Sequence, residues 1–107
     1  MSHFFQLILV LALAQTPALD SFSPRERSDA VESMAVLGNR DAVPLLAQAY
    51  KNEQSSEIRV SIVRALGRIR DQSAIPTLSE ALRTDFQQVV RLQAIDSLLR
   101  LYIPVAD

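Results

Sequence analysis

The sequence predicts an all-α protein in which about two and a half helical hairpins stack into a right-handed α-α superhelix. Residues 58–82 read as an apolar-periodic helix, a short polar turn and a second helix that opens with Ala-Ile-Pro. The second half of this stretch recurs 32 positions earlier at Ala42–Tyr50, and its first half recurs 32 positions later at Arg91–Leu101. A period in the thirties is typical of stacked helix pairs, because a single pair cannot bury its apolar face alone.

The composition fits one small domain with a packed core. The chain has 107 residues, and 49% of them are apolar, which argues against disorder. A net charge of −1 offers no electrostatic attraction for nucleic acid or an anionic membrane. The chain has no cysteine, and its single histidine, His3, lies beside the initiator methionine. Disulfides, thiolate metal sites and a cysteine nucleophile are therefore excluded, and we predict no cofactor.

Residues 1–18 are predicted to be a hydrophobic leader. Phe4–Ala14 holds one polar residue, and it is shorter than the roughly 20 residues that a membrane-crossing helix needs. Ala12-Leu13-Ala14 supplies a small-x-small cleavage site before Gln15, so we interpret the leader as a cleaved signal peptide. A second candidate site ends at Ala18. The absence of Lys and Arg from the leader departs from this pattern, and the alternatives are an uncleaved anchor or a buried capping helix of a cytoplasmic protein.

The first helix of the array has a complete start signal. Ser23 is the predicted N-cap, Pro24 takes the first helical position, and Glu26 is placed to reach back to the cap. The helix is predicted to run to about Leu37, where Gly38-Asn39 tolerates the positive φ of a helix C-terminus.

The other helices follow the same logic. Asp41 and Ser73 are the predicted caps of the second and fourth helices, each of which has a proline in its first turn. Ser55 or Ser56 caps a third helix over 57–69, and Thr84-Asp85 caps a fifth over 86–102. Gly67 lies within the third helix and predicts close approach of the paired helix. The predicted core faces include Ala30, Val31, Met34, Leu37, Val43, Leu46, Ala49, Tyr50, Ile58, Ile62, Ala65, Leu66, Ile69, Ile75, Leu78, Ala81, Leu82, Val90, Ala94, Leu98 and Leu101.

These residues resemble HEAT repeats, in particular the short HEAT-like type first associated with phycobilisome lyases. The resemblance is carried by Val-Arg-Ala-Leu-Gly at 63–67, Asp71, and Ala-Ile-Pro at 74–76. It implies a repeat domain over residues 19–107, with repeats at about 23–52, 55–84 and 85–104. The first repeat is expected to be shorter, with an earlier end to its first helix. The last lacks its second helix, so its remaining helix needs cover. Residues 102–105 could fold back over it, but we favour cover by another chain or by further repeats of a longer array.

The sequence contains no recognisable reaction centre. It has no glycine-rich phosphate loop, and the histidine ligands of HEAT-type di-iron hydroxylases are missing. A cluster of four arginines suggests nucleic acid, but neighbouring acidic residues offset it, and we interpret it as a solvated outer face. The cluster comprises Arg59, Arg64, Arg68 and Arg70.

Because no reaction centre is recognisable, we predict that the protein acts by binding a partner on its surface. In HEAT solenoids the second helices line the concave side, where arrays of this kind take their ligands. The predicted partner-binding residues on that side are Gln48, Lys51, Glu80 and Arg83. We therefore predict a non-enzymatic scaffold that binds proteins. The leader predicts export to the periplasm or secretion, and self-association through the uncovered final helix is an option. The alternatives are a cytoplasmic lyase-related enzyme or subunit, and a fragment of a longer solenoid.

Overall fold

The computed structural model describes residues 18–103, and their regular structure consists of helices. The α-helices are α1 (Pro24–Leu37), α2 (Val43–Asn52), α3 (Ser56–Ile69), α4 (Ile75–Thr84) and α5 (Gln88–Tyr102). Within this part of the chain there is no strand, so the all-α prediction is confirmed. The predicted leader, apart from Ala18, lies outside the described residues.

The start of α1 follows the predicted cap only in part. The Ser23 hydroxyl oxygen accepts a hydrogen bond from the Glu26 amide at 3.3 Å, as expected. The Glu26 carboxylate does not return to Ser23; it accepts from the Ser21 hydroxyl. The Ser23 amide in turn donates to the Ser21 oxygen at 3.1 Å. The Ser21 hydroxyl oxygen therefore accepts the hydrogen bond from the Ser23 amide that was predicted for the Glu26 carboxylate.

The two hairpin turns have the same construction. Gly38 follows α1 with a φ of 64°, and Arg70 follows α3 with a φ of 58°. Each turn then forms one 3-10 turn before the next helix begins, at Arg40–Ala42 and Gln72–Ala74. The predicted shortening of the first repeat is wrong, because Gly38 corresponds to Arg70 rather than to Gly67.

The 3-10 turns also displace the capping side chains. The Asn39 side-chain oxygen accepts from the Asp41 amide at 2.9 Å, and the Asp71 carboxylate accepts from the Ser73 amide at 3.1 Å. Helices α2 and α4 themselves have no side-chain cap. The predicted caps Asp41 and Ser73 are therefore wrong: these two residues donate, and the acceptors lie two residues earlier. Ser55 does cap α3, since its oxygen accepts from the Ile58 amide at 3.3 Å.

The helices stack in sequence order. The first helices α1, α3 and α5 pack in succession, while α2 and α4 pack more extensively on α3 and α5, the first helices of the following hairpins, than on their own partners. The core lies between these layers, with Leu46, Ile62, Leu66 and Leu78 fully buried. Successive hairpins thus share one continuous core, as expected of a repeat array.

Gly67 lies at a close contact between α3 and α5. A Cβ placed on this glycine would lie 2.6 Å from the Ser97 Cβ and 2.9 Å from the Ser97 Cα. Ser97 is itself fully buried, and its hydroxyl donates to the Val63 carbonyl oxygen at 2.8 Å. Close approach at Gly67 is therefore confirmed, but the helix that approaches is α5 of the next repeat and not the hairpin partner α4.

The start of α5 differs from the prediction. The helix begins at Gln88 rather than Phe86, and no side chain caps it. The Asp85 carboxylate accepts from the Gln87 amide at 3.0 Å within the loop, while the Thr84 hydroxyl donates back to the Glu80 carbonyl oxygen. The Thr84-Asp85 cap is therefore wrong, and Asp85 has a different role.

Candidate functional site

The four predicted partner-binding residues lie at or near two clefts. Lys51 of α2 and Glu80 of α4 line the same cleft, of about 490 Å³. Gln48 of α2 lines a second cleft, of about 880 Å³. Arg83 is exposed on α4 and lines neither of them. The structure thus brings one predicted pair together and separates the other residues.

The smaller cleft, here called the Arg59 cleft, has a buried ion pair as its floor. Arg59 Nε lies 2.9 Å from Asp85 Oδ2, and Arg59 Nη2 lies 3.2 Å from Asp85 Oδ1. The two side chains are only 8% and 3% exposed. The Tyr50 hydroxyl donates to Asp85 Oδ2 at 2.8 Å and completes the group. The remaining lining residues are Lys51, Glu53, Gln54, Glu80, Thr84 and Phe86.

The buried position of Arg59 corrects the sequence interpretation. Arg59 was predicted to lie on a solvated outer face with Arg64, Arg68 and Arg70; the last three are exposed, but Arg59 is not. A carboxylate as buried as Asp85 requires a counter-charge and hydrogen bonds, and Arg59 supplies both.

The electrostatics of this group follow from its contacts. Burial by itself would raise the pKa of Asp85, but hydrogen bonds from the Arg59 side chain, the Gln87 amide and the Tyr50 hydroxyl outweigh it and hold the pKa below its ordinary value. Burial, and then the hydrogen bond to Asp85, raise the pKa of the Tyr50 hydroxyl. Asp85 is therefore an anion at neutral pH, and Tyr50 stays protonated as its donor.

The rim of the Arg59 cleft is open to solvent. Phe86 is 83% exposed, and its ring centroid lies 5.5 Å from Arg59 Cζ, within cation–π range. Lys51 and Glu80 place one charge of each sign beside it. Among the described residues, no buried side-chain nitrogen or oxygen lacks a hydrogen bond. The floor is thus neutralised, and the rim carries the groups that are available to a ligand.

The larger cleft, here called the Arg27 cleft, lies one repeat earlier. Arg27 Nε is 2.9 Å from Glu53 Oε2, and Nη2 is 3.2 Å from Oε1, with side-chain exposures of 20% and 5%. This pair is less buried than Arg59–Asp85. Leu19, Leu45 and Ala49 contribute apolar walls.

The two clefts are repeat equivalents. Arg27 and Glu53 correspond to Arg59 and Asp85 at an offset of 32 residues. Each arginine also donates through Nη1 to a carbonyl oxygen six residues before it: Arg27 to Ser21 at 2.7 Å and Arg59 to Glu53 at 3.3 Å. The 32-residue recurrence of arginines 27, 59 and 91, with acidic residues at 53 and 85, is the sequence signal that would have identified these pairs.

Two further findings concern other kinds of site. Within residues 18–103, no group of three or more His, Cys, Asp or Glu side chains is arranged to hold a metal ion. None of the helices in this range combines the length and apolar character that crossing a membrane requires.

Comparison with known proteins agrees with the architecture. The family model for HEAT repeats matches residues 13–99, beginning inside the predicted leader and ending in α5. No curated protein matches the chain. Because the family model covers most of the sequence and the helices stack as the resemblance implied, the chain belongs to the HEAT-repeat family.

Proposed function

We propose that the chain is a non-enzymatic module that binds a protein segment along the side formed by α2 and α4. HEAT repeats form helical modules that are often used for protein interaction. The observation that carries the proposal is the presence of two equivalent clefts on this side, one for each Arg–acid pair. Repeat arrays bind extended ligands through such recurring surfaces.

The chemistry of the clefts suggests the kind of segment. The Arg27 cleft presents the apolar side chains of Leu19, Leu45 and Ala49, and the Arg59 cleft presents the charges of Lys51 and Glu80. Packed helices lie about 10 Å apart, which an extended peptide covers in about three residues. We therefore expect an apolar residue of the ligand in the Arg27 cleft and a polar residue about three positions away in the Arg59 cleft.

The buried groups support a structural role in place of catalysis. Arg59, Asp85 and Tyr50 hydrogen-bond one another, so the Asp85 carboxylate and the Tyr50 hydroxyl are engaged within the fold. A general base or nucleophile has to reach a substrate proton or electrophile, which these buried contacts oppose.

A charge-matched pair of variants tests the binding side. Lys51→Glu with Arg83→Glu alters the α2–α4 side, and Arg25→Glu with Arg64→Glu makes the same charge change on exposed positions of α1 and α3. With the purified chain as bait, we expect proteins that cross-link to the wild type and the α1–α3 variant to be lost with the α2–α4 variant. Equal capture by both variants would contradict the proposal.

We propose further that the chain is exported to the periplasm or secreted. The support is the apolar run Phe4–Ala14 followed by candidate cleavage sites. N-terminal sequencing of the protein expressed in its native host should find a start at Gln15 or Leu19. An intact Met1 on the soluble protein would reject export and would favour the cytoplasmic, lyase-related alternative.

A further inference from the structure

The outer face of α5 is a second surface, separate from the α2–α4 clefts. Its exposed apolar residues Leu92, Ile95 and Leu99 follow one another at helical spacing, with exposures of 54%, 41% and 49%. Tyr102 extends the same stripe toward the end of the helix, where it is 67% exposed. This stripe is called the α5 face below.

The repeat register shows what an equivalent face does inside the molecule. Ile95 corresponds to Val63 of α3 and to Val31 of α1, which are 0% and 2% exposed. Val63 and Gly67 of α3 contact Ser97 of α5, the next first helix. The α5 face is therefore equivalent to the surface through which α1 packs on α3 and α3 packs on α5.

Arg91 adds a charge to this face. Its Nη1 donates to the Asp85 carbonyl oxygen at 2.6 Å, which matches the bonds that Arg27 and Arg59 make to the preceding loops. Arg27 and Arg59 also bind a carboxylate through Nε and Nη2. Among residues 18–103, no carboxylate lies within 4 Å of the Arg91 guanidinium in that role.

The Arg27–Glu53 and Arg59–Asp85 pairs show where such a carboxylate would lie relative to the helix that follows it. Glu53 precedes the first residue of α3 by three positions, and Asp85 precedes the first residue of α5 by three positions. Arg59 and Asp85 meet near the starts of α3 and α5, while Gly67 and Ser97 meet further along, so the two helices run side by side in the same direction.

We propose that the α5 face binds an amphipathic helix of another polypeptide that carries a carboxylate three residues before its first turn. The helix lies parallel to α5, covers Leu92, Ile95 and Leu99, and places its carboxylate on Nε and Nη2 of Arg91. Leu99 stands where Gly67 and Ala35 stand in the earlier repeats. The bound helix therefore needs a small residue opposite Leu99, or a wider separation there than α5 has from α3.

A second copy of this chain fits the face less well. In an antiparallel pairing of two α5 helices centred between Ile95 and Asp96, Arg91 would lie opposite Arg100 of the other copy, so that like charges would meet. In a head-to-tail pairing, α1 of a second copy would pack on α5. Ser21 would then take the position that Glu53 and Asp85 hold in the internal pairs, and Ser21 has no charge. Charge complementarity therefore favours a different partner.

The chain itself supplies a probe. A capped synthetic peptide with the sequence of residues 53–70 carries Glu53 three positions before the helix start and Ala65 at the position that would face Leu99. We expect it to bind the full-length chain in a fluorescence anisotropy titration. Binding should weaken about tenfold for the Glu53→Gln peptide and about tenfold for the Arg91→Gln protein. Combining the two changes should cause little further loss, whereas Arg83→Gln on α4 should have no effect.

Three results would overturn the proposal. The first is equal binding by the Arg91→Gln and Arg83→Gln proteins, or no binding at millimolar peptide. The second is a dimer of the full-length chain in analytical ultracentrifugation that Leu99→Glu converts to monomer, since the occupant is then a second copy. The third is peptide binding only after removal of residues 104–107, because the chain's own end then covers the face.

Discussion

Arg59 and Asp85 form a buried, two-point ion pair that joins the first helix of one repeat to the loop before the first helix of the next. Two hydrogen bonds of 2.9 and 3.2 Å connect the side chains, and both side chains are less than a tenth exposed. The pair therefore links the positions of α3 and α5 in addition to the apolar core between them. Loss of this ion pair should therefore weaken the coupling between the two repeats.

The first prediction concerns removal of one partner. Asp85→Ala leaves the Arg59 guanidinium buried without its counter-charge, and we expect a loss of about 3–5 kcal/mol in the free energy of unfolding. Asp96→Ala is the control, because Asp96 and Arg100 form an exposed pair whose loss should cost at most about 1 kcal/mol. Urea denaturation followed by circular dichroism measures both. Similar losses for the two variants would show that the burial of Asp85 has little energetic effect.

The second prediction concerns pH. The pKa of Asp85 is lowered in the fold relative to 3.8, so between the folded and unfolded pKa values the unfolded chain binds more protons. The contribution of Asp85 to stability is therefore fully present above about pH 4, and is lost as the pH falls through the folded pKa. We expect the stability of Asp85→Asn to change less with pH between about pH 4 and pH 2 than that of the wild type. An identical pH dependence in both proteins would contradict this assignment.

The third prediction concerns the contact between α3 and α5. Gly67→Ala gains about 1 kcal/mol of helix propensity but places a Cβ against Ser97, so we expect a net loss of about 1–2 kcal/mol. In the Ser97→Gly background the same substitution should cost less, because the two nearest clashing atoms, the Ser97 Cβ and Oγ, have been removed. A double-mutant cycle from urea denaturation measures this coupling. Equal costs in both backgrounds would mean that the contact with Ser97 does not limit the helix approach.

The fourth prediction compares the core with the binding side. Leu66 is fully buried between helices, and Leu66→Ala should destabilise by about 2–5 kcal/mol. Lys51 is exposed at the rim of the Arg59 cleft, and Lys51→Ala should remain within about 0.5 kcal/mol of the wild type. Thermal unfolding of both variants provides the comparison. Similar shifts in Tm would show that the buried and exposed faces have been confused.

The helices could be predicted from the sequence because their signals are local. Ser23, Pro24 and Gly38 mark the ends of α1 within a turn of where they act. The apolar period also identifies Ala30, Val31 and Met34 as buried, but the assignment of Leu37 to the same face is wrong, because Leu37 lies at the end of the helix and is 76% exposed. The hairpin turns were harder to predict from the sequence. A glycine in the left-handed position of the first turn corresponds to Arg70 in the second, so an alignment of glycines gave the wrong turn lengths.

For the candidate site, the sequence predicted only which helices would carry it, the second helices of the repeats. The partner-binding role of Lys51 and Glu80 stays a prediction. The structure shows that Lys51, which is exposed, and Glu80, which is half-buried, line the same cleft. The floor of that cleft was missed. Asp85 resembled a helix cap and Arg59 resembled one of several surface arginines, since each was judged against its immediate neighbours in the chain.

By itself the sequence determined that the chain is helical, where the helices lie and that they recur every 32 residues. Only the tertiary structure decided that Arg59 is buried with Asp85 and that α5, and not α4, approaches Gly67. The physical reason is that capping and periodicity act within one helical turn. Ion pairing and helix contact, in contrast, join residues 26 and 30 positions apart that become neighbours only when successive repeats stack.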